Sequence, residues 1–484
     1  MRTQLTVLSD DERAGIHERS LAVLARCGAR VETALGRRFL REAGAHVDEN
    51  SHVVRFPRAL VEAALRLAPR SFTLGARRPG RDLAMNDGEC TMLVDGEAVA
   101  VLDRHSGERR PATTGDWLEA TRLIDALDEV GAWWFMVEAG DRGDTAADKI
   151  GYWRDLFANF SKHVQDPLER AELAPWLLEV LQVIFGDRET VRRRHPLSFL
   201  LCPQSPLIID GPHTDAYLAL RGWDIPVAIM PMPLMGATAP AGLLATAVVG
   251  NCEVLAMLCL LQAAAPGTPV IYAPALAVAN PRTGGYGGGP VEHGLLGAAC
   301  VEMGRYYGLP VEASGFGADS HVPGIQAAYE RAMNGLLPAL AWPDLLVGPG
   351  LLGGSMVLSL EQLLLDVEMF RMARRACRGM TAGDAGGWLD EELEGLAPGM
   401  HFLDRRSTVR AIRGGEWYVS DLGVHEAYEG WAAAGRPRLL EQARARVDQI
   451  LAAHRPLPLG EDVERALAAL QRRAAEISDE DDRQ

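Results

Sequence analysis

Asp319 and His321 stand two residues apart in "DSHVPG" (319–324), which has the DxHxxG spacing by which cobalamin-binding domains present a histidine to cobalt. That chemistry needs a doubly wound domain in which the histidine ends a strand and later loops cradle the nucleotide tail. Here Gly324 leads straight into "IQAAYERAMNGLLPALA", a helix-like segment, and the near-match "DRHSG" (103–107) brings its glycine one position early. The pattern therefore predicts no cobalt ligand at His321. Zinc fares no better, since His195 and Cys202 are too separated along one run to act together and Cys300 has no partner at ligand spacing. No GxSxG elbow, HExxH pair or GxxxxGK[ST] loop occurs either.

Two further sets of polar residues carry information. Glu253 and Asn251 lie in the middle of "AGLLATAVVGNCEVLAMLCLLQAAAPG" (241–267), a run long enough to mimic a membrane span. A carboxylate there is costly unless paired, which predicts a buried helix of a large barrel and a partner for Glu253 in Arg282, Asn251 or a ligand. Gln326 and Glu330, four apart, share one helix face, which points either to a barrel mouth or to solvent.

The elements that would position these residues follow a rhythm. Residues 1–88 read as helices and short strands, for example "DDERAGIHERSLAVLARCG" with acids in its first turn and Gly28 as its stop. From about residue 89 to 376, eight apolar β-like runs alternate with helical patterns: "TMLVDGEAVAVLD", "AWWFMVEA", "KHVQD", "LSFLLCP", "IPVAIMP", "TPVIYAPA", "LPVEASG" and "DLLVGPG". Strands apolar throughout need both faces covered, and eight such units in series predict an α/β fold, a closed (β/α)8 TIM barrel. Its chemistry would sit on the loops leaving the strands' C-terminal ends, four of which are rich in glycine and proline. Residues 377–484 read as a C-terminal region of cap or interface helices with "SDEDDRQ" as a disordered acidic tail, and the amphipathic helices suggest a homo-oligomer.

Composition sets limits on the partners. The net charge of -16 argues against nucleic acid, which needs a concentrated basic surface. The opening "MRTQLTVLSDDERAGI" reaches charged residues before any apolar region, and seven single cysteines without a CxxC suggest reduced thiols. Both favour a cytoplasmic protein with no membrane segment.

The segments "RHSGERRPAT" (104–113), "LSFLLCPQSPL" (197–207), "MGATAPAGLLATAVVGNCEVLA" (235–256), "NPRTGG" (280–285), "RYYGLPVEASGFGADSHVPGIQAAYERA" (305–332) and "GMHFL" (399–403) together resemble the trimethylamine methyltransferase (MttB) family over nearly the whole chain. Members are (β/α)8 proteins that move a methyl group from a methylated amine to the Co(I) of a separate corrinoid protein. Those without pyrrolysine, as here, include enzymes for quaternary amines such as glycine betaine. The resemblance thus implies a small methylated-amine substrate and a cognate corrinoid protein as partners, with no cofactor or metal held by this chain.

A quaternary ammonium leaves without a proton, so such an enzyme need only position the methyl and exclude water. Its cage would use aromatic faces and a carboxylate. Tyr286, Phe316, Tyr272 and the pair Trp133/Trp134 stand at or near strand ends, and Asp319 is the carboxylate favoured, with His321, Glu253, Arg282, Gln326 and Glu330 completing the candidate set. For each aromatic alone, core packing competes with this role, as helix capping does for Asp319.

Departures from the family pattern bear on the substrate. His321 and Gly324 replace the lysine and acid of a more usual "DSK.PD". "LLGGSM" (351–356), around Gly353, lacks the acid common after the leucine, and "DRRST", around Arg406, replaces "HPHT". They keep two other readings open, a barrel enzyme of different chemistry acting on a small carboxylate through Arg282 and Asp319, and a non-catalytic amine-binding protein.

Overall fold

The computed structural model describes residues 3–380 and 387–481. Its centre is an eight-stranded sheet of Thr91–Leu93, Val130–Trp133, His163–Gln165, Leu197–Leu201, Val227–Ile229, Val270–Tyr272, Glu312–Ser314 and Leu345–Val347, one strand from each of the eight apolar runs. Each strand pairs in parallel with its neighbour in chain order, and the last returns to the first, Leu345 opposite Thr91. Between the sixth and seventh strands closure rests on one bridge, where the Tyr272 N–H donates to the Pro310 carbonyl at 2.9 Å. The sheet is a (β/α)8 barrel with a narrow seam.

A helix follows every strand, and each long one buries a face on the sheet. The longest, Leu243–Ala264, is apolar and long enough to cross a membrane by composition, yet its middle is packed inside this fold. Asn251 donates to Ser20 Oγ at 2.8 Å and to Tyr307 Oη at 2.9 Å, and accepts from Tyr272 Oη at 3.0 Å. Asn251, which breaks up the run, is thus satisfied by the N-terminal helix and by barrel elements, as burial demands.

The N-terminal region is sewn to the barrel. Its first helix, Asp10–Arg26, starts on a Ser9 capping box, and the strand Ala29–Val31 pairs in parallel with Ile208–Ile209 in the loop after the fourth barrel strand. At the other end, helices Leu439–Ala453 and Glu461–Asp481 form an outer layer, where Arg154 donates to Gln471 and Arg473 pairs with Glu179. The tail read as disordered is a correction here: the last helix runs on to Asp481, and residues 482–484 lie outside the described residues.

Lys162 shows how the barrel's lower rim is held. It is 3% exposed, and its ammonium donates to the carbonyls of Ile124, Leu127 and Val130 at 3.0, 2.5 and 2.7 Å, closing the end of helix Thr114–Ala126 onto the second strand. Lys162→Met would take a charged donor from three buried carbonyls, leaving those of Ile124 and Leu127 only the Leu127 and Val130 amides at 3.3 and 3.2 Å. The expected loss is about 2 kcal/mol, read as a lower denaturation midpoint with activity of the folded fraction intact.

Candidate active site

A cleft of about 490 Å3 opens at the C-terminal ends of the strands, between the loops after the first five. That is where a TIM barrel places its chemistry. One wall is helix Ala146–Asn159, which a Thr145 capping box starts at the rim, so that Lys149 and Tyr152 look into the cleft from its first two turns. Tyr152 stands between Phe135 and Trp117, with ring centroids at 5.9 and 5.1 Å, and its hydroxyl donates to Asp166 Oδ1 at 3.2 Å. Protein cations cover these rings: the Arg142 guanidinium lies 4.1 Å from the Trp117 centroid and 5.4 Å from that of Tyr152, and Lys149 Nζ lies 5.8 Å from Tyr152.

The cleft carries charges of both signs. Lys149 pairs with Glu169 at 2.6 Å, and His213 with Asp210 at 3.1 Å, while Glu97 and Asp166 add carboxyls at the rim and the foot. Burial, helped by the charge of Glu169, pushes Asp166 well above the usual carboxylate range, and burial also raises Glu97. The hydrogen bond that His213 donates to Asp210 raises its pKa. Arg142, on the cleft wall, keeps a buried Nε–H with no acceptor.

The loops after the sixth, seventh and eighth strands form the other half of the mouth and are locked to one another. Asp319 Oδ1 accepts from the amides of Gly288 and Gly289 at 2.9 and 3.1 Å, its own N–H donates to Glu330 Oε2 at 2.9 Å, and Gln326 donates to Glu330 Oε1 at 2.9 Å. Asn334 adds bonds to the carbonyls of Gly288, Gly289 and Gly317. Beneath the rings of His321 and Tyr286 lie Gly353 and Gly354, with φ of 60° and 67°. A Cβ on Gly353 would sit 2.7 Å from His321 Nδ1, and one on Gly354 would sit 3.2 Å from Tyr286 Cδ1. Only glycine meets both demands without strain. Asp95, after the first strand, accepts from Ser355 Oγ at 2.6 Å, and its burial raises its pKa.

A family model for trimethylamine methyltransferase (MTTB) matches residues 2–478. The chain belongs to this methyltransferase family. Trimethylamine methyltransferase MttB of Desulfitobacterium hafniense is 30% identical over 96% of this chain and 93% of its own. The glycine betaine methyltransferase of the same species is 28% identical over 98% of both. The crystal structure of the monomethylamine methyltransferase MtmB of Methanosarcina barkeri superposes with a TM-score of 0.50 at 9% identity, covering 96% of this chain and 92% of that one, a likeness of fold.

In this member of the trimethylamine methyltransferase family, the candidates named from sequence are dispersed, and none of them lines the cleft. Asp319, His321, Tyr286, Gln326 and Glu330 gather in the glycine-locked half of the mouth, where Glu330 is buried and Gln326 is exposed. Arg282 is exposed on the sixth loop. Trp134 faces the lumen over Gly96, 6% exposed and with its indole N–H unpartnered, whereas Trp133 turns outward and donates to Thr121.

Three expectations are corrected. Tyr272 points away from the mouth, its hydroxyl bound to Asn251 on the outer helix. Phe316 has φ of 50°, which swings its ring beneath helix Ile325–Leu340, against Gly335. Glu253 pairs with neither Arg282 nor Asn251; it accepts from Ser205 Oγ at 2.9 Å and the Leu207 N–H at 2.8 Å, fixing the loop after the fourth strand. Sequence reading passed over the cleft residues Arg142, Lys149, Tyr152, Asp166, Asp210 and His213. The signal available was polar residues in runs otherwise apolar: "KHVQD" ends on Gln165 and Asp166, and "LPVEASG" contains Glu312.

Proposed function

We propose that this protein moves a methyl group from a quaternary or tertiary methylated amine, a betaine foremost, to the Co(I) of a separate corrinoid protein. The observation that carries this reading is the two-signed cleft at the barrel mouth, with carboxyls at Glu97, Asp166 and Asp210 and a free donor on Arg142. A betaine is itself two-signed, and the similarity to a glycine betaine methyltransferase supports a carboxylate-bearing substrate. The partner's Co(I) would supply the nucleophile. This chain's part is to hold the ammonium against its carboxyls, hold the substrate carboxylate on Arg142, and keep water from the methyl group. Seven free cysteines fit the reducing cytoplasm that such chemistry needs. Exposed apolar side chains in the C-terminal region, Leu403 at 84% and Tyr428 at 63% among them, support a homo-oligomer.

The test mixes the purified protein with Co(I) cobalamin or a corrinoid protein and a panel of betaines and simpler methylated amines. Loss of the Co(I) absorption, with release of the demethylated amine, is expected for a carboxylate-bearing member; no spectral change across the panel would sink the reading. Arg142→Met should raise KM for the betaine about tenfold and leave that for tetramethylammonium unchanged, because only the former loses a charge-assisted bond.

A further inference from the structure

Below the cleft a hydrogen bond spans the barrel. Gln165, on the third strand, donates through Nε2 to Glu312 Oε2 at 2.9 Å. Glu312 is on the seventh strand, four places round an eight-stranded ring, so the pair joins opposite walls. Gln165 is 1% exposed and Glu312 0%, yet the amide oxygen of Gln165 and the second carboxyl oxygen of Glu312, Oε1 in each, have no partner. The strand register sets Trp134 beside Gln165, since Ala132 is opposite His163 and Trp133 opposite Val164, and the Trp134 indole N–H is unpartnered as well. The pair lies next to the cleft: Asp166, the residue after Gln165, lines the cleft, and so does Cys202, whose thiol is raised by burial and by the charges of Glu97 and Glu312.

Buried acceptors without donors are costly, and a site that keeps them is built to receive a hydrogen-bond donor. A quaternary ammonium has no N–H to give. Loss of one methyl group leaves a neutral tertiary amine, whose nitrogen lone pair takes a proton readily. Resting on the amine-site reading above, we propose that Glu312, held by Gln165, is the subsite for that product: it protonates the departing amine and binds the resulting N–H on Oε1. In the step the Glu312 O–H bond breaks and an N–H bond forms with the nitrogen lone pair. The carboxylate that remains is paired with the ammonium and still accepts from Gln165, and solvent restores its proton after release. Burial holds the Glu312 carboxyl at about 7, so both of its forms are populated near neutrality. The ligand class is a protonated tertiary or lower amine.

Matched cations test this without a corrinoid. Binding of trimethylammonium and tetramethylammonium, which differ by N–H against N–CH3, is measured by calorimetry at a pH where trimethylamine is protonated. The wild type should prefer trimethylammonium about tenfold, and Glu312→Gln should lose that preference while keeping its affinity for tetramethylammonium. Equal wild-type affinities for the two cations would overturn the inference whatever the variant's folding, as would a Glu312→Gln protein of unchanged melting temperature that keeps the preference. Binding of neither cation would overturn the amine-site reading itself, and this inference with it.

Discussion

Arg331→Ala is expected to lower stability by about 3–5 kcal/mol, the range for removing one partner of a buried ion pair. Arg331 and Asp366 are both 0% exposed, and Nη1 donates to Oδ2 at 2.7 Å. Asp366 also accepts from the Gly350 amide and from Gln362 Nε2, each at 2.8 Å, so the truncation strands a carboxyl that two neutral donors cannot compensate. Even with its partner present, burial lifts Asp366 to about 6. The pair joins helix Ile325–Leu340 to helix Leu360–Arg378 across the loop that carries Gly353, Gly354 and Ser355, so the mouth should loosen before the barrel does. Denaturant midpoints measure the loss. The double variant Arg331→Met, Asp366→Leu should recover much of it, since a well-packed apolar pair avoids the desolvation of two charges; a double variant as unstable as Arg331→Ala would refute that account.

Glu253→Gln should act in the opposite direction, and only at the alkaline end. Burial raises the Glu253 carboxyl from 4.5 to about 7, with the Leu207 amide and Ser205 hydroxyl partly offsetting it. The native protein therefore binds more protons than the unfolded chain between these values, and wild-type stability falls as pH rises through that window, by about 3 kcal/mol in all. Below about 4.5 the side chain is neutral in both states and the term vanishes. Glutamine keeps the volume and an acceptor for the Leu207 N–H, so the variant should match the wild type near pH 4.5 and exceed it by up to about 3 kcal/mol at pH 8. His163 and His293, both pushed down to about 4 by burial, give a trend of the other sign, which cancels in the comparison. Unfolding curves for both proteins at the two pH values decide the matter; a gap that does not change with pH would contradict it.

The barrel was legible because its strands obey a single demand. A strand buried on both faces reads as a mostly apolar run, and each of the eight runs holds or overlaps a barrel strand, including "KHVQD", where only Val164 is apolar. The site was less legible, for reasons that differ by residue. Tyr272 and Phe316 stand at strand ends, but which face a side chain takes depends on strand parity, and for Phe316 on a left-handed backbone. Glu253 announced its need for a partner, though the donors lie 46 and 48 residues away on a loop and are a neutral hydroxyl and a backbone amide. The glycine-rich loops drew attention to the fifth to eighth strands, and in the last three glycine serves close contact between loops, whereas the cleft is built mostly from ordinary polar residues after the first four.

The pairing of Arg30 with Ile208 and of Val31 with Ile209 sets a timetable as well as a contact. During synthesis the amino-terminal strand emerges roughly 180 residues before its partner, and contacts of such long range form late. Until then its edge is open, and the loop that brings Gln204 and Asp210 to the cleft cannot be drawn into place. A nascent chain halted after the third barrel strand should therefore hold its first helices collapsed but unanchored, in a state that chaperones or proteases can engage.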